Sequence, residues 1–133
     1  MPKLTGSAPV VLVRDVRAAA NYYADKLGFK DCTFYGDPPY FCIARRDGLA
    51  VMLALADAAV IKPYWQVVKG TWNLYLWVDD ADALYAEYQA SGAIIDYELS
   101  LKPYGVKEFG VRELDGHDIG TGQILRVSPQ LIC

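Results

Sequence analysis

The chain has 133 residues, of which 53% are apolar and 22% charged, and its formal net charge is −3. A chain of this size can bury a core without disulfide or metal staples, and its apolar share offsets the ordering entropy that leaves charge-rich chains unfolded. Arg45-Arg46 is the longest basic run, which argues against a phosphate-tracking surface, and no stretch approaches the roughly eighteen apolar residues that span a bilayer. Neither nucleic acid nor a membrane is expected as a partner.

The elements follow in chain order. Residues 10–13 are a β-branched strand, and residues 16–27 carry an apolar stripe (Val16, Ala19, Ala20, Tyr23, Leu27) at helical spacing. Asp15 fits the N-cap and Gly28 the left-handed C-terminal position. Strands are expected at 31–35, 40–46 and 49–55, and Asp47-Gly48 between the last two is a hairpin signal. Residues 58–71 lose periodicity and read as a connector. The pattern then restarts with a strand at 72–78, Asp80 as N-cap, a helix over 83–89 stopped by Ser91-Gly92, and strands at 94–99, 106–114 and 118–127.

The halves repeat. Val13-Arg14-Asp15-Val16 recurs as Val78-Asp79-Asp80-Ala81, and Asp47-Gly48 as Asp115-Gly116. Strand, helix and three strands with both punctuation marks in the same order is a tandem repeat. The expected fold class is therefore α+β: two βαβββ modules with curved mixed sheets and helices on the outer faces. They form a single domain over 1–133, with module one at about 8–57 and module two at about 72–127. Cys32, Cys42 and Cys133 are odd in number and lack CxxC spacing, which points to a reducing, cytoplasmic setting.

Val11-Leu12-Val13-Arg14-Asp15-Val16, Tyr22-Tyr23, Leu27-Gly28-Phe29, Val78-Asp79-Asp80, Ser91-Gly92 and Leu114-Asp115-Gly116-His117-Asp118-Ile119 together resemble the vicinal oxygen chelate superfamily. That superfamily includes glyoxalase I, extradiol dioxygenases and the bleomycin-resistance proteins. The resemblance implies that the two modules form a cup, and that two copies of the chain pair as a homodimer. In metal-using members the ligands stand at positions that fall here on Ala8, Met52, Asn73 and Gly120. Alanine and glycine offer no donor, methionine is soft, and one amide would bind alone. The best-matching branch is the metal-free, bleomycin-resistance-like one, which implies no cofactor and a binding protein rather than an enzyme.

Strand alternation decides which side chains enter such a cup. Val11 and Val13 would pack on the first helix, leaving Ala8, Val10 and Leu12 inside; Leu74, Leu76 and Val78 would pack on the second, leaving Asn73, Tyr75 and Trp77 inside. Aligning the two Asp-Gly turns sets Tyr40, Cys42 and Ala44 opposite Glu108, Gly110 and Arg112, all on the cup side. The candidate ligand-binding residues are Tyr40, Asn73, Tyr75, Trp77, Glu108 and Arg112, with Trp65 and Trp72 near the connector. Flat aromatic faces suit a planar or cationic small organic ligand, or else they seal a subunit interface. Glu108 and Arg112 orient a polar ligand end or pair with each other. The lone His117 reads as a hydrated turn residue more readily than as an acid–base group, and Cys42 as a core thiol. The alternatives are a metal-dependent lyase, isomerase or dioxygenase with an atypical ligand set, and a dimeric interaction subunit without a small ligand.

Overall fold

A computed structural model describes residues 1–125; Cys133 and the end of the last expected strand lie outside them. The chain is α+β, built as two tandem βαβββ modules that form separate compact units, Met1–Ile61 and Lys62–Cys133.

In the first unit β1 (Val10–Val13) leads into α1 (Val16–Leu27), followed by β2 (Asp31–Tyr35), β3 (Phe41–Arg46) and β4 (Leu49–Leu55). The sheet order is β1-β4-β3-β2, with β1 parallel to β4 and the other pairs antiparallel. Asp15 caps α1 by accepting from the Ala18 amide at 3.0 Å, and Gly28 ends it at φ 80°. The helix buries Val16, Ala19, Ala20, Tyr23 and Leu27 in one core with Val11, Val13, Val51 and Leu53. Between β3 and β4, Asp47 and Gly48 both have positive φ, 51° and 77°, the two-residue turn that matches strand twist.

Cys42 pairs with Leu53 and Ala44 with Val51, and all four are buried with α1. They lie on the helix side of the sheet, so the expected cup-side placement of Cys42 and Ala44 is corrected. Tyr40 precedes β3, is 61% exposed, and lays its ring where a side chain on Gly36 would stand.

The connector is more ordered than its lost periodicity predicts. It holds a 3₁₀ turn at Ala58–Val60 and a single helical turn, α2 (Tyr64–Val67). The second unit continues with β5 (Leu74–Trp77), α3 (Ala81–Ser91), β6 (Ile94–Leu101), β7 (Val106–Arg112) and β8 (Asp118–Ile124), in sheet order β5-β8-β7-β6. Asp80 caps α3 through the Ala83 amide at 3.0 Å. Phe109 of β7 meets Tyr85 and Tyr88 of α3 at ring separations of 5.0 and 6.0 Å, in a core shared with Leu74, Val111 and Ile119. By alternation Tyr75, Glu108, Gly110, Arg112 and Gly120 therefore occupy the face away from α3, the side assigned to them from sequence, and Gly122 joins them there.

Strand β7 ends at Arg112 because the buried Glu113 carboxylate turns the chain. Its Oε1 accepts from the amides of Asp115 at 2.9 Å and His117 at 3.1 Å. The loop between paired Arg112 and Asp118 is thus longer by three residues than the one between Arg46 and Leu49. An odd difference reverses which face each strand residue takes, because the strand period is two. Aligning the two Asp-Gly turns therefore inverted the phase of β3. His117 is 3% exposed, so it is a buried loop residue and not a hydrated one.

Candidate functional site

The open face of the second sheet is organised around Glu108, whose side chain is 2% exposed. Three phenols converge on its carboxylate. Tyr75 donates to Oε1 at 2.7 Å from β5, Tyr104 donates to the same oxygen at 3.0 Å from the turn before β7, and Tyr97 donates to Oε2 at 2.8 Å from β6. Behind Tyr97, the indole N–H of Trp72 donates to its hydroxyl at 3.1 Å. Burying a carboxylate is costly unless hydrogen bonds replace its hydration, and the phenols supply that replacement. In return, burial and the adjacent Glu108 raise the pKa values of Tyr75, Tyr97 and Tyr104 above the usual phenol value.

Glycines make this geometry possible. A Cβ on Gly110 would strike the Tyr97 ring, one on Gly120 the Tyr75 ring and Trp72, and one on Gly122 the Tyr75 hydroxyl. The central strands β7 and β8 are bare at these points, so two tyrosine rings lie down across them. The aromatic layer continues sideways, with Trp72 edge-on to Tyr75 at 4.8 Å and Trp77 tilted against Tyr75 at 4.6 Å.

A second group stands at the loop end of the same face. Arg112 donates from Nε to Asp118 at 2.7 Å and from Nη2 to Asp96 at 3.0 Å, and its guanidinium lies 4.5 Å from the Trp65 ring centroid. The bond to Asp118 is the main reason its pKa is raised further. Trp65 is itself held by a 2.7 Å bond from its indole N–H to the Gly116 carbonyl. Between the two groups opens a cavity of about 510 Å³, bounded by Trp65, Trp72, Tyr97, Tyr104, Glu108 and Arg112, a volume in the range of small-molecule sites.

The six residues singled out from sequence are distributed unequally. Glu108 and Arg112 line the cavity but do not pair with each other. Tyr75 lies beneath it as support for Glu108. Trp77 is 59% exposed at the edge of the aromatic layer. Asn73 turns its amide oxygen to the Tyr64 amide at 3.1 Å, fixing the start of α2. Tyr40 belongs to the first unit. Sequence reasoning left out Tyr97, Tyr104, Asp96 and Asp118. The available signal for Tyr97 was a glycine directly across from it, since Tyr97 pairs with Gly110.

A family model described as the Glyoxalase/Bleomycin resistance protein/Dioxygenase superfamily matches residues 7–121. The chain belongs to that superfamily. Solved structures of similar fold include TioX from Micromonospora sp. ML1, with TM-score 0.71 and 23% identity over 91% of this chain and 99% of that one. The bleomycin-binding protein of Streptomyces verticillus, solved with copper(II)-bleomycin, aligns at TM-score 0.68 and 25% identity over 91% of this chain and 97% of its own. TnmS3, an antibiotic binding protein from Streptomyces sp. CB03234, aligns at 0.69 and 23% over 93% and 98%. A search of the curated proteins finds no match.

The positions where superfamily members that use a metal carry its ligands do not fit one here. Gly120 lies under the Tyr75 ring, and the Asn73 oxygen is engaged by Tyr64. In the first unit Met52 pairs with Val10, and Ala8 precedes β1. Among the described residues no three His, Cys, Asp or Glu side chains gather as a metal cluster, and no helix is long and apolar enough to cross a membrane.

Proposed function

We propose that this protein is a small-molecule binder that holds a planar organic ligand with a cationic group in the second module, without a metal and without converting it. The observation that carries this reading is the buried Glu108 carboxylate at the floor of an aromatic cavity. Among the described residues its hydrogen bonds all come from phenols, and none of the ion pairs formed there involves it. A carboxylate has about four acceptor positions, and three are used. The remaining one, on Oε2, accepts from a ligand N–H, while Trp65, Trp72 and Tyr97 supply stacking faces. The similarity to proteins described as antibiotic-binding and bleomycin-binding supports a small organic ligand.

Binding without conversion is supported by the way the polar groups are engaged: Arg112 is held by two carboxylates, and the Tyr97 and Tyr104 phenols beside Glu108 have their pKa values raised by burial and by that carboxylate, which keeps them protonated as donors. Elemental analysis of protein purified without chelator separates this reading from a metal-dependent one, since equimolar Zn, Ni, Mn or Fe would support the latter. We also propose a homodimer, supported by Val10 and Leu12, which are exposed on the face of the first sheet away from α1. Light scattering at micromolar concentration tests it.

The direct test is fluorescence titration with naphthamidine, a planar monocation. Quenching is expected in wild type and in Trp77→Phe, and is expected to fall sharply in Trp65→Phe. Quenching that is lost only in Trp77→Phe moves the binding surface out of the cavity and overturns the assignment.

A further inference from the structure

The cavity carries a second charge pattern, which concerns the other end of the ligand. Lys69 and Lys102 both line it. Neither has a carboxylate partner among the described residues, in contrast to Arg112 beside Asp118 and Asp96, and to Lys107 beside Asp82. Lys102 stands 5.1 Å above the Tyr97 ring centroid, on the ring whose hydroxyl reaches Glu108. Lys69 is exposed and Lys102 half-buried, whereas Glu108 is buried. The cavity thus has a buried carboxylate at its floor and, toward its rim, two ammonium groups without a carboxylate partner, while the remaining charges of its lining, Arg112, Asp96 and Asp118, pair with one another; an aromatic wall stands between.

Resting on the binding function proposed above, we propose that the ligand is amphoteric: a planar aromatic molecule with a cationic N–H donor directed at Glu108 and an anionic group directed at Lys69 and Lys102. A ligand bearing only the cation would satisfy the floor and leave two ammonium groups facing its apolar outer edge. A ligand bearing only the anion would satisfy the rim and put a ring edge against the buried carboxylate. Only the amphoteric class meets both, and opposite charges at its two ends fix which way round it enters. Charge placement of this kind sets specificity and orientation more than total affinity.

The test is calorimetric titration of naphthamidine, naphthoate and amidinonaphthoate, the last carrying both groups at opposite ends of one ring system, into wild type and Lys69→Glu/Lys102→Glu. The expected result is that amidinonaphthoate binds wild type at least fivefold more tightly than naphthamidine. The double variant should lose that advantage while binding naphthamidine as well as wild type or better. Equal affinity of the two compounds for wild type, or an advantage that survives the charge reversal, overturns the amphoteric assignment while leaving the cationic site intact. Failure of all three compounds to bind overturns the binding function itself, so the two failures are distinguishable.

Discussion

The Tyr75 ring lies over Gly120, its in-register neighbour on the parallel strand β8, so closely that any side chain on Gly120 would displace it. At a position that the resemblance to the superfamily assigns to a metal ligand, this chain has the one residue that lets an aromatic ring lie flat. The consequence reaches Glu108, because the same tyrosine delivers its hydroxyl to that carboxylate.

Replacing the glycine floor is therefore expected to be costly. Gly110→Ala and Gly120→Ala each put a methyl into space held by a tyrosine ring, and overpacking of this kind destabilises by roughly 1–3 kcal/mol. Thermal denaturation should show a lowered Tm for both variants. Gly48→Ala serves as a contrast, because the space around Gly48 is open and its cost comes only from holding an alanine at a φ of 77°, with no ring displaced.

Tyr97→Phe removes the donor to Oε2 and the acceptor for Trp72 while keeping the ring. Leaving buried polar groups without partners costs about 1–3 kcal/mol. Chemical denaturation should show that loss. Tyr35→Phe, outside this network, should be close to neutral.

Alkaline pH should weaken the fold. Burial and the neighbouring Glu108 raise the Tyr75 and Tyr97 phenols above their ordinary value near 10. A group whose pKa is higher folded than unfolded contributes stability that is complete below the unfolded value and is lost as pH rises through the folded one. Stability should be flat below about pH 9 in this respect and fall above about pH 10, with tyrosinate absorbance from these two residues appearing only as the protein unfolds. Tyrosinate formation at Tyr75 or Tyr97 in a still-folded protein near pH 10, read as absorbance that Tyr75→Phe or Tyr97→Phe removes, would contradict it.

Much of the architecture is legible in the sequence because its signals are local. Asp15 and Asp80 as caps, Gly28 and Gly92 as stops, and Asp47-Gly48 as a tight turn each act within a few residues. The second-module face was also readable, since β5 and β7 alternate regularly and bring Tyr75, Glu108 and Arg112 to one side. The face of β3 was not, because Glu113 lengthens one hairpin loop by an odd number of residues through a side-chain bond that spacing does not encode. Tyr97 escaped for a related reason: register shifts between Ile95 and Tyr97 and between Tyr97 and Ser100 interrupt the alternation of β6. Trp65 reaches the site from a connector without periodicity, held by a bond to Gly116 that is remote in sequence.

The central claim is that Glu108 is the anionic anchor of the ligand. Glu108→Gln keeps the size of the side chain and one acceptor oxygen for Tyr75 and Tyr104, turns the other oxygen into an amide NH2 donor from which the Tyr97 hydroxyl must rotate to accept, and removes the charge. Hydrogen bonds to charged groups contribute about 1.5–3 kcal/mol, or roughly ten- to a hundredfold in affinity. Calorimetric titration of naphthamidine into wild type and Glu108→Gln, with circular dichroism confirming that the variant is folded, measures this directly. The account predicts a loss of affinity of at least tenfold in the folded variant; equal affinity in the two proteins would contradict it.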